Sequence, residues 1–204
     1  MKKLILSAAA LFAFGFANAQ DATTTTGGKG FSNGDVFISG RVGISSQSTG
    51  EVKNSTFSIA PQLGFFVSDN IAIGAMIGYE GTTQEDGIDP DEYKTSTFVV
   101  GGFARYYATP ASDFSFFGEL GIEYAMGKEE QGAAENKING FGIGLRPAVS
   151  YFISDNFALE ASFGQLSYSS VKPDNDAPIE PDSTDTFDFN IDLTNITFGL
   201  VYKF

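Results

Sequence analysis

The stretch "NITFGLVYKF" (195–204) decides how the chain is to be read. Ile196, Phe198, Leu200, Tyr202 and Phe204 take every second position, and the residues between them are smaller or polar. A period of two marks a β-strand with two unlike faces. A loose tail has no such pattern, and a soluble edge strand is blunted by charge or proline rather than lined with rings. One face of this strand therefore needs an apolar neighbour, and the rest of the chain says which.

At the other end, "MKKLILSAAALFAFGFANAQ" (1–20) carries Lys2 and Lys3, an apolar run from Leu4 to Phe16, and Ala17-Asn18-Ala19 as a cleavage site. Residues 1–19 read as a signal peptide, removed on export. The run is shorter than the roughly 20 residues a helical span needs. Removing Lys2 and Lys3 from the twelve basic residues leaves ten against 25 acidic, a net charge of −15. That balance argues against nucleic acid as a partner, since phosphate binding needs clustered Lys and Arg. The chain has no cysteine, so neither a disulfide nor a lipid-anchored N-terminus is available. No later segment resembles a membrane helix, so a membrane-embedded form must be a closed barrel, which alone satisfies every backbone group.

Period-two patterning predicts eight strands, near 35–46, 55–67, 71–81, 95–108, 114–127, 138–153, 157–169 and 186–204. Between them, "SDN" (68–70), "ATPASD" (108–113) and "SDN" (154–156) are short, whereas 47–54, 82–94, 128–137 and 170–185 are longer and mostly acidic. Short turns at one end and long polar loops at the other are the asymmetry of an outer-membrane barrel. "PQLGFFVSDNIAIGAMIG" (61–78) aligns without gaps to "PAVSYFISDNFALEASFG" (147–164), with eight of eighteen positions identical. One strand–turn–strand unit is used twice. Residues 20–34, with "DATTTTGGKGFSNG" at 21–34, are Thr- and Gly-rich and predict a flexible N-terminal segment.

Parity then assigns the faces. Val36, Ile38, Val42 and Ile44 oppose Ser39, Arg41 and Gly43; Phe57, Ile59, Leu63 and Phe65 oppose Ser58, Ala60, Gln62 and Gly64. Every charge within the first seven strands falls on the small-residue face, where it escapes the roughly 2–4 kcal/mol that a basic residue costs at mid-bilayer. A soluble lipocalin-like barrel with an apolar cavity shows the same period. The outward reading is favoured by the small inner residues, which suit a narrow eight-stranded interior. Tyr106, Tyr151 and Tyr202 toward the short turns and Tyr79, Tyr124 and Tyr168 toward the long loops also form two girdles. Phe187, Phe189, Ile191 and Leu193 are odd, whereas Ile196 onward are even, which predicts a one-residue bulge near Thr194–Asn195.

On these residues the chain resembles the small outer-membrane β-barrels of the OmpX/OmpA-like group, in the single-domain version common in Bacteroidota. The carriers are the hairpin at 61–74, its echo at 147–159 and terminal Phe204, within a barrel domain spanning 35–204. The resemblance implies an all-β, eight-stranded antiparallel up-and-down transmembrane barrel in a bacterial outer membrane. It also implies outer-membrane lipid and lipopolysaccharide as surroundings. Phe198, Leu200, Tyr202 and Phe204 would be the signal read by the barrel assembly machinery.

For chemistry, Arg41, Arg105 and Arg146 share the inner face with Glu80, Glu119, Glu123 and Glu160. Buried charges of both signs in one narrow space call for ion pairing, because an unpaired one is strongly unfavourable. The packed set reads as a plugged lumen, with a narrow ion-conducting pore as the alternative. Glu119 and Glu123 lie about 13 Å apart along one strand face, too far for a bond-breaking pair. Histidine and cysteine are absent, which removes the usual bases and thiol nucleophiles. Neither "EGTTQEDGIDPDEY" (80–93) nor "KPDNDAPIEPDSTDTFD" (172–188) matches a calcium-binding loop, although such carboxylates could bridge through divalent cations to lipopolysaccharide. The expectation is a non-enzymatic barrel without cofactor or resident metal. Its role is structural or adhesin-like, exercised through acidic extracellular loops on an unidentified extracellular partner.

Overall fold

Alternation between large apolar and small or polar residues dictates strands with one lipid-like and one lumen-like face, and the described residues form little else. The structure, a computed structural model, describes residues 28–85, 87, 92–132, 134–174, 182–191 and 196–204. The strands are β1 (Val36–Thr49), β2 (Val52–Phe66), β3 (Ile71–Glu85), β4 (Tyr93–Tyr107), β5 (Phe114–Gln131), β6 (Ala134–Phe152), β7 (Phe157–Phe163), β8 (Gln165–Asp174), β9 (Thr184–Asn190) and β10 (Ile196–Lys203). Each of β1 to β6 pairs antiparallel with the next. β6 continues onto β7 near the short turns and onto β8 farther up, and β10 pairs with both β7 and β1. β7 with β8, and β9 with β10, each make one interrupted strand, so the sheet is a closed barrel of eight.

Orientation follows the parity reading. Phe57, Ile73, Leu120 and Phe198 point out and are exposed, whereas Arg105 and Glu119 are buried within. The soluble alternative, with its apolar face turned inward, is thereby set aside. The six girdle tyrosines all face outward.

Two expected loops are largely strand, and a third is strand at both its ends. β1 and β2 run on to Thr49 and Val52 around Gly50 (φ +65°), and β5 and β6 to Gln131 and Ala134 around Gly132 (φ +56°). β3 extends to Glu85 and β4 begins at Tyr93. β5 and β6 have 18 and 19 residues, where a membrane crossing needs about 9–11, so the hairpins project well beyond it. Lys53–Glu85 (3.0 Å) and Lys128–Glu135 (3.0 Å) bridge the projecting strands.

Two interruptions change parity. One lies between Ile191 and Ile196; Thr194 and Asn195, where the bulge was expected, lie outside the described residues. The other, not anticipated, is at Gly164 (φ +80°), which splits the seventh strand. A Cβ there would lie 2.3 Å from the Asn190 carbonyl oxygen, so only glycine fits.

The repeat is repeated in detail. In the first turn Ser68 Oγ accepts from Ile71 N–H, while Asn70 Nδ2 donates to the Tyr107 carbonyl of β4 and its own carbonyl accepts from Tyr107 N–H. In the second, Ser154 Oγ accepts from Phe157 N–H, and Asn156 makes the same reciprocal pair with Lys203 of β10. Each "SDN" thus closes its own hairpin and clips the end of the next strand. Asn70→Ala and Asn156→Ala are each expected to cost about 1 kcal/mol. This is read as a lower temperature at which the compact gel band converts to the extended one. Asp69→Ala, an exposed neighbour, should leave that temperature in place; an equal loss there would remove the special role of asparagine.

Candidate functional site

β4 carries Phe103, Arg105 and Tyr107 on its inner face, because alternate residues point the same way. Arg105 is 3 % exposed. Its Nε donates to Glu119 Oε2 of β5 (2.8 Å), and its Nη1 to Glu160 Oε1 of β7 (2.8 Å) and to the Tyr107 hydroxyl (3.0 Å). Nη2 donates to Gln62 Oε1 of β2 (2.7 Å) and Ser39 Oγ of β1 (3.4 Å). Five strands therefore meet on one guanidinium. Rings of Phe37, Phe103 and Phe117 stand 4.9–5.2 Å from its Cζ, adding cation–π contacts in a dry setting.

Arg146 of β6 extends the network upward, with Nη2 2.9 Å from Glu119 Oε1 and 3.2 Å from Glu123 Oε1. Of the seven inner-face charges picked out in the sequence, five are thus one continuous chain: Glu160, Arg105, Glu119, Arg146 and Glu123. Arg41 lines the same cavity of about 20 Å³, yet among the described residues no carboxylate lies within 4 Å of it. Glu80 faces inward two strands away and is exposed, apart from the chain. General ion pairing of all seven was expected; Arg41 shares the cavity without a carboxylate in contact, and Glu80 lies apart. Among the described residues Glu119 and Glu160, the buried carboxylates, are each held by a guanidinium.

Toward the short turns the interior is aromatic rather than small. Phe37, Phe66, Tyr107, Phe117 and Phe152 form one buried cluster. The available signal was a set of doublets, Phe65-Phe66, Tyr106-Tyr107, Phe116-Phe117 and Tyr151-Phe152, each sending one ring out and the next in. Into this cluster the lead-in inserts Phe31, 2 % exposed, with ring centroids 4.6 Å from Phe66 and 4.8 Å from Phe152. Phe31 N–H donates to the Pro110 carbonyl, and Lys203 Nζ donates to the carbonyls of Gly30 (2.6 Å) and Gly28 (3.0 Å). Flexibility was expected over 20–34; residues 28–34 are instead packed across the mouth, while 20–27 lie outside the described residues. Burial pushes the Asp35 carboxyl up, against Ser32 N–H and Lys203, which lower it. A raised folded-state value favours this mouth in acid and weakens it as pH rises through that value.

Among the described residues no group of three acidic side chains is gathered for a metal. The hairpin ends carry dispersed charge.

The chain matches the family model of the outer membrane protein beta-barrel domain over residues 6–204. It belongs to that family. The barrel is therefore one of the bacterial outer membrane. Among solved structures it is similar to the outer membrane protein OprG from Pseudomonas aeruginosa, at 15 % identity and a TM-score of 0.52, covering 86 % of this chain and 98 % of that one. It is also similar to Neisserial surface protein A, at 13 % identity and a TM-score of 0.48, covering 83 % and 97 %. At such identities the likeness concerns fold alone. No protein of curated function matches the chain.

Replacing Arg105 by Met is expected to cost about 3–5 kcal/mol, because Glu119 and Glu160 lose their main counter-charge while buried. Glu80→Gln, outside the network, should leave the unfolding temperature of the folded gel band within error. Comparable losses in the two variants would mean that the Arg105 cluster is not the keystone.

Proposed function

We propose that the chain is a non-enzymatic, non-conducting barrel that holds acidic hairpins and loops on the cell surface for contact with the surroundings. The observation that carries this reading is Arg105. A guanidinium bonded to four other strands, ringed by three phenylalanines and backed by Phe31, leaves water and ions little continuous path. What the chain offers its environment is then the hairpin end, with Glu85, Glu129 and Glu130 in the strands and further carboxylates in 175–188. The same reading takes residues 1–19 as the cleaved export signal, Phe198 to Phe204 as the assembly signal, and lipopolysaccharide as the immediate neighbour of the loops.

A narrow pore is the competing reading, and planar bilayers separate the two. The purified chain is expected to give no discrete conductance steps, whereas Phe31→Ala combined with Arg105→Ala should produce small ones. Discrete steps from the unaltered chain that Arg105→Ala or Glu119→Ala alters would end the closed-lumen reading. For the surface role, cells displaying the chain are compared with cells in which 175–181 is replaced by a Gly/Ser linker. Attachment to a panel of host and abiotic surfaces should fall, and unchanged attachment throughout would remove that role.

A further inference from the structure

Besides Lys2 and Lys3 the chain has seven lysines, and two of them, Lys29 and Lys203, stand at the short-turn mouth. The other five occupy equivalent places on five strands. On β2 and β4, Lys53 and Lys94 come four residues before the outward rings of Phe57 and Phe98. On β6, Lys137 comes four before Phe141; on β5 and β8, Lys128 and Lys172 come four after Tyr124 and Tyr168. An even spacing keeps to one face of a strand, so all five lysines look outward, on the long-loop side of the rings.

The rings mark the edge of the apolar band. Phe116 to Tyr124 on β5 is nine residues, the length of one membrane crossing, and aromatic side chains collect at the interface. Four residues of strand rise about 13 Å, or about 10 Å of height at the usual tilt. Lysine stems bend part of the way back along apolar surface. The ammonium groups therefore sit at the depth of the outer lipid headgroups. One outward step farther the sign reverses: Glu85, Glu130 and Glu135 stand six residues beyond Tyr79, Tyr124 and Phe141 respectively. Moving away from the membrane, the order is ring, cation, anion.

The belt is densest on β5 and β6, where Lys128 faces Lys137 directly across the ladder. Side chains so placed have Cβ atoms about 5 Å apart, and like charges there repel unless an anion lies between them. Lys172 stands opposite Asn139, diagonal to Lys137. Lys53, Lys94 and Lys128 touch Glu85, Glu92 and Glu135 at 2.8–3.0 Å. These pairs are exposed to solvent and contribute little. A phosphate, with its denser charge and several acceptor oxygens, is the stronger partner for an ammonium group.

We propose that this lysine belt binds the phosphate groups of the surrounding outer-leaflet glycolipid directly, with Lys128 and Lys137 gripping one phosphate between them. The inference rests on the reading of lipopolysaccharide as the neighbour of the loops, and it moves the contact from the acidic ends to the cations beneath them. The wall presents cations where the lipid carries phosphate, and its carboxylates one step higher, clear of that layer. Contacts on five strands fix the depth of the barrel in the membrane as well as its lipid neighbours.

The test uses the full chain in zwitterionic detergent with EDTA present, and native mass spectrometry counts the lipid A molecules it retains. Bisphosphorylated lipid A should be retained and the dephosphorylated form should not. Lys128→Ser with Lys137→Ser is expected to weaken retention about thirtyfold, the loss of two lysines facing an anionic surface. Lys29→Ser, at the opposite mouth, should change nothing. A swapped chain carrying Lys128→Glu, Glu130→Lys, Glu135→Lys and Lys137→Glu keeps the net charge but inverts the order, and should bind as weakly as the double variant. The heat-shifted gel band shows that each variant is folded. Equal retention of the two lipids, an unmoved double variant, or a swapped chain that binds like the unaltered one would each overturn the proposal. Binding that needs calcium in place of EDTA and ignores the lysines would also overturn it, while leaving lipopolysaccharide as the neighbour of the acidic loops. Retention of no lipid A in either medium would remove both readings.

Discussion

A peptide group facing acyl chains has no water to bond to, and that shortage organises the whole molecule. It forbids an open sheet, so the last strand must return to the first: Phe37 to Gly40 pair with Lys203 to Leu200. It makes side-chain parity absolute, since a strand cannot shift by one residue without turning phenylalanines inward and charges out. It also explains why the "SDN" turns spend their asparagines on neighbouring strand ends. At the short-turn rim, where hydrogen-bond partners run out, Asn70 and Asn156 supply both a donor and an acceptor.

Charges turned away from lipid enter an interior that has its own cost. A buried ion pair by itself is about neutral against an apolar replacement, because desolvation offsets attraction. The balance changes when the remaining hydrogen-bonding capacity is met. Arg105 has two carboxylates, an amide oxygen, two hydroxyls and three ring faces around it. A planar fork suits this role where an ammonium would not, since its five N–H groups point in fixed directions toward different strands. Breaking one partner leaves the others stranded, and the cluster is stiff for that reason.

Much of this was legible before the structure. Period two has a direct physical origin in the pleat, so the eight strands, their faces and the shared interior of Arg105, Glu119, Glu123, Arg146 and Glu160 could be read from spacing alone. Parity gives the face but neither the height nor the partner, and so Glu80 and Arg41 could not be told apart from the network. The projecting hairpins were misread as loops because both their faces are wet: "SSQST" and "GKEEQ" lose their alternation once no face meets lipid. Phe31 was illegible for another reason. A ring among glycines and threonines carries no periodic signal, and its burial depends on long-range contacts with Pro110, Lys203 and four rings.

The two strand interruptions form one feature. Gly164 and the break after Ile191 lie side by side, so close that a Cβ on Gly164 would meet the Asn190 and Ile191 backbone. Two neighbouring strands change direction at one level, and among the described residues the β8–β9 hairpin above pairs with the wall through β6. Below that level β7 and β10 follow the ring and close on β1; above it β9 follows β8 instead. Glycine at 164, with its positive φ, is the residue that permits the departure.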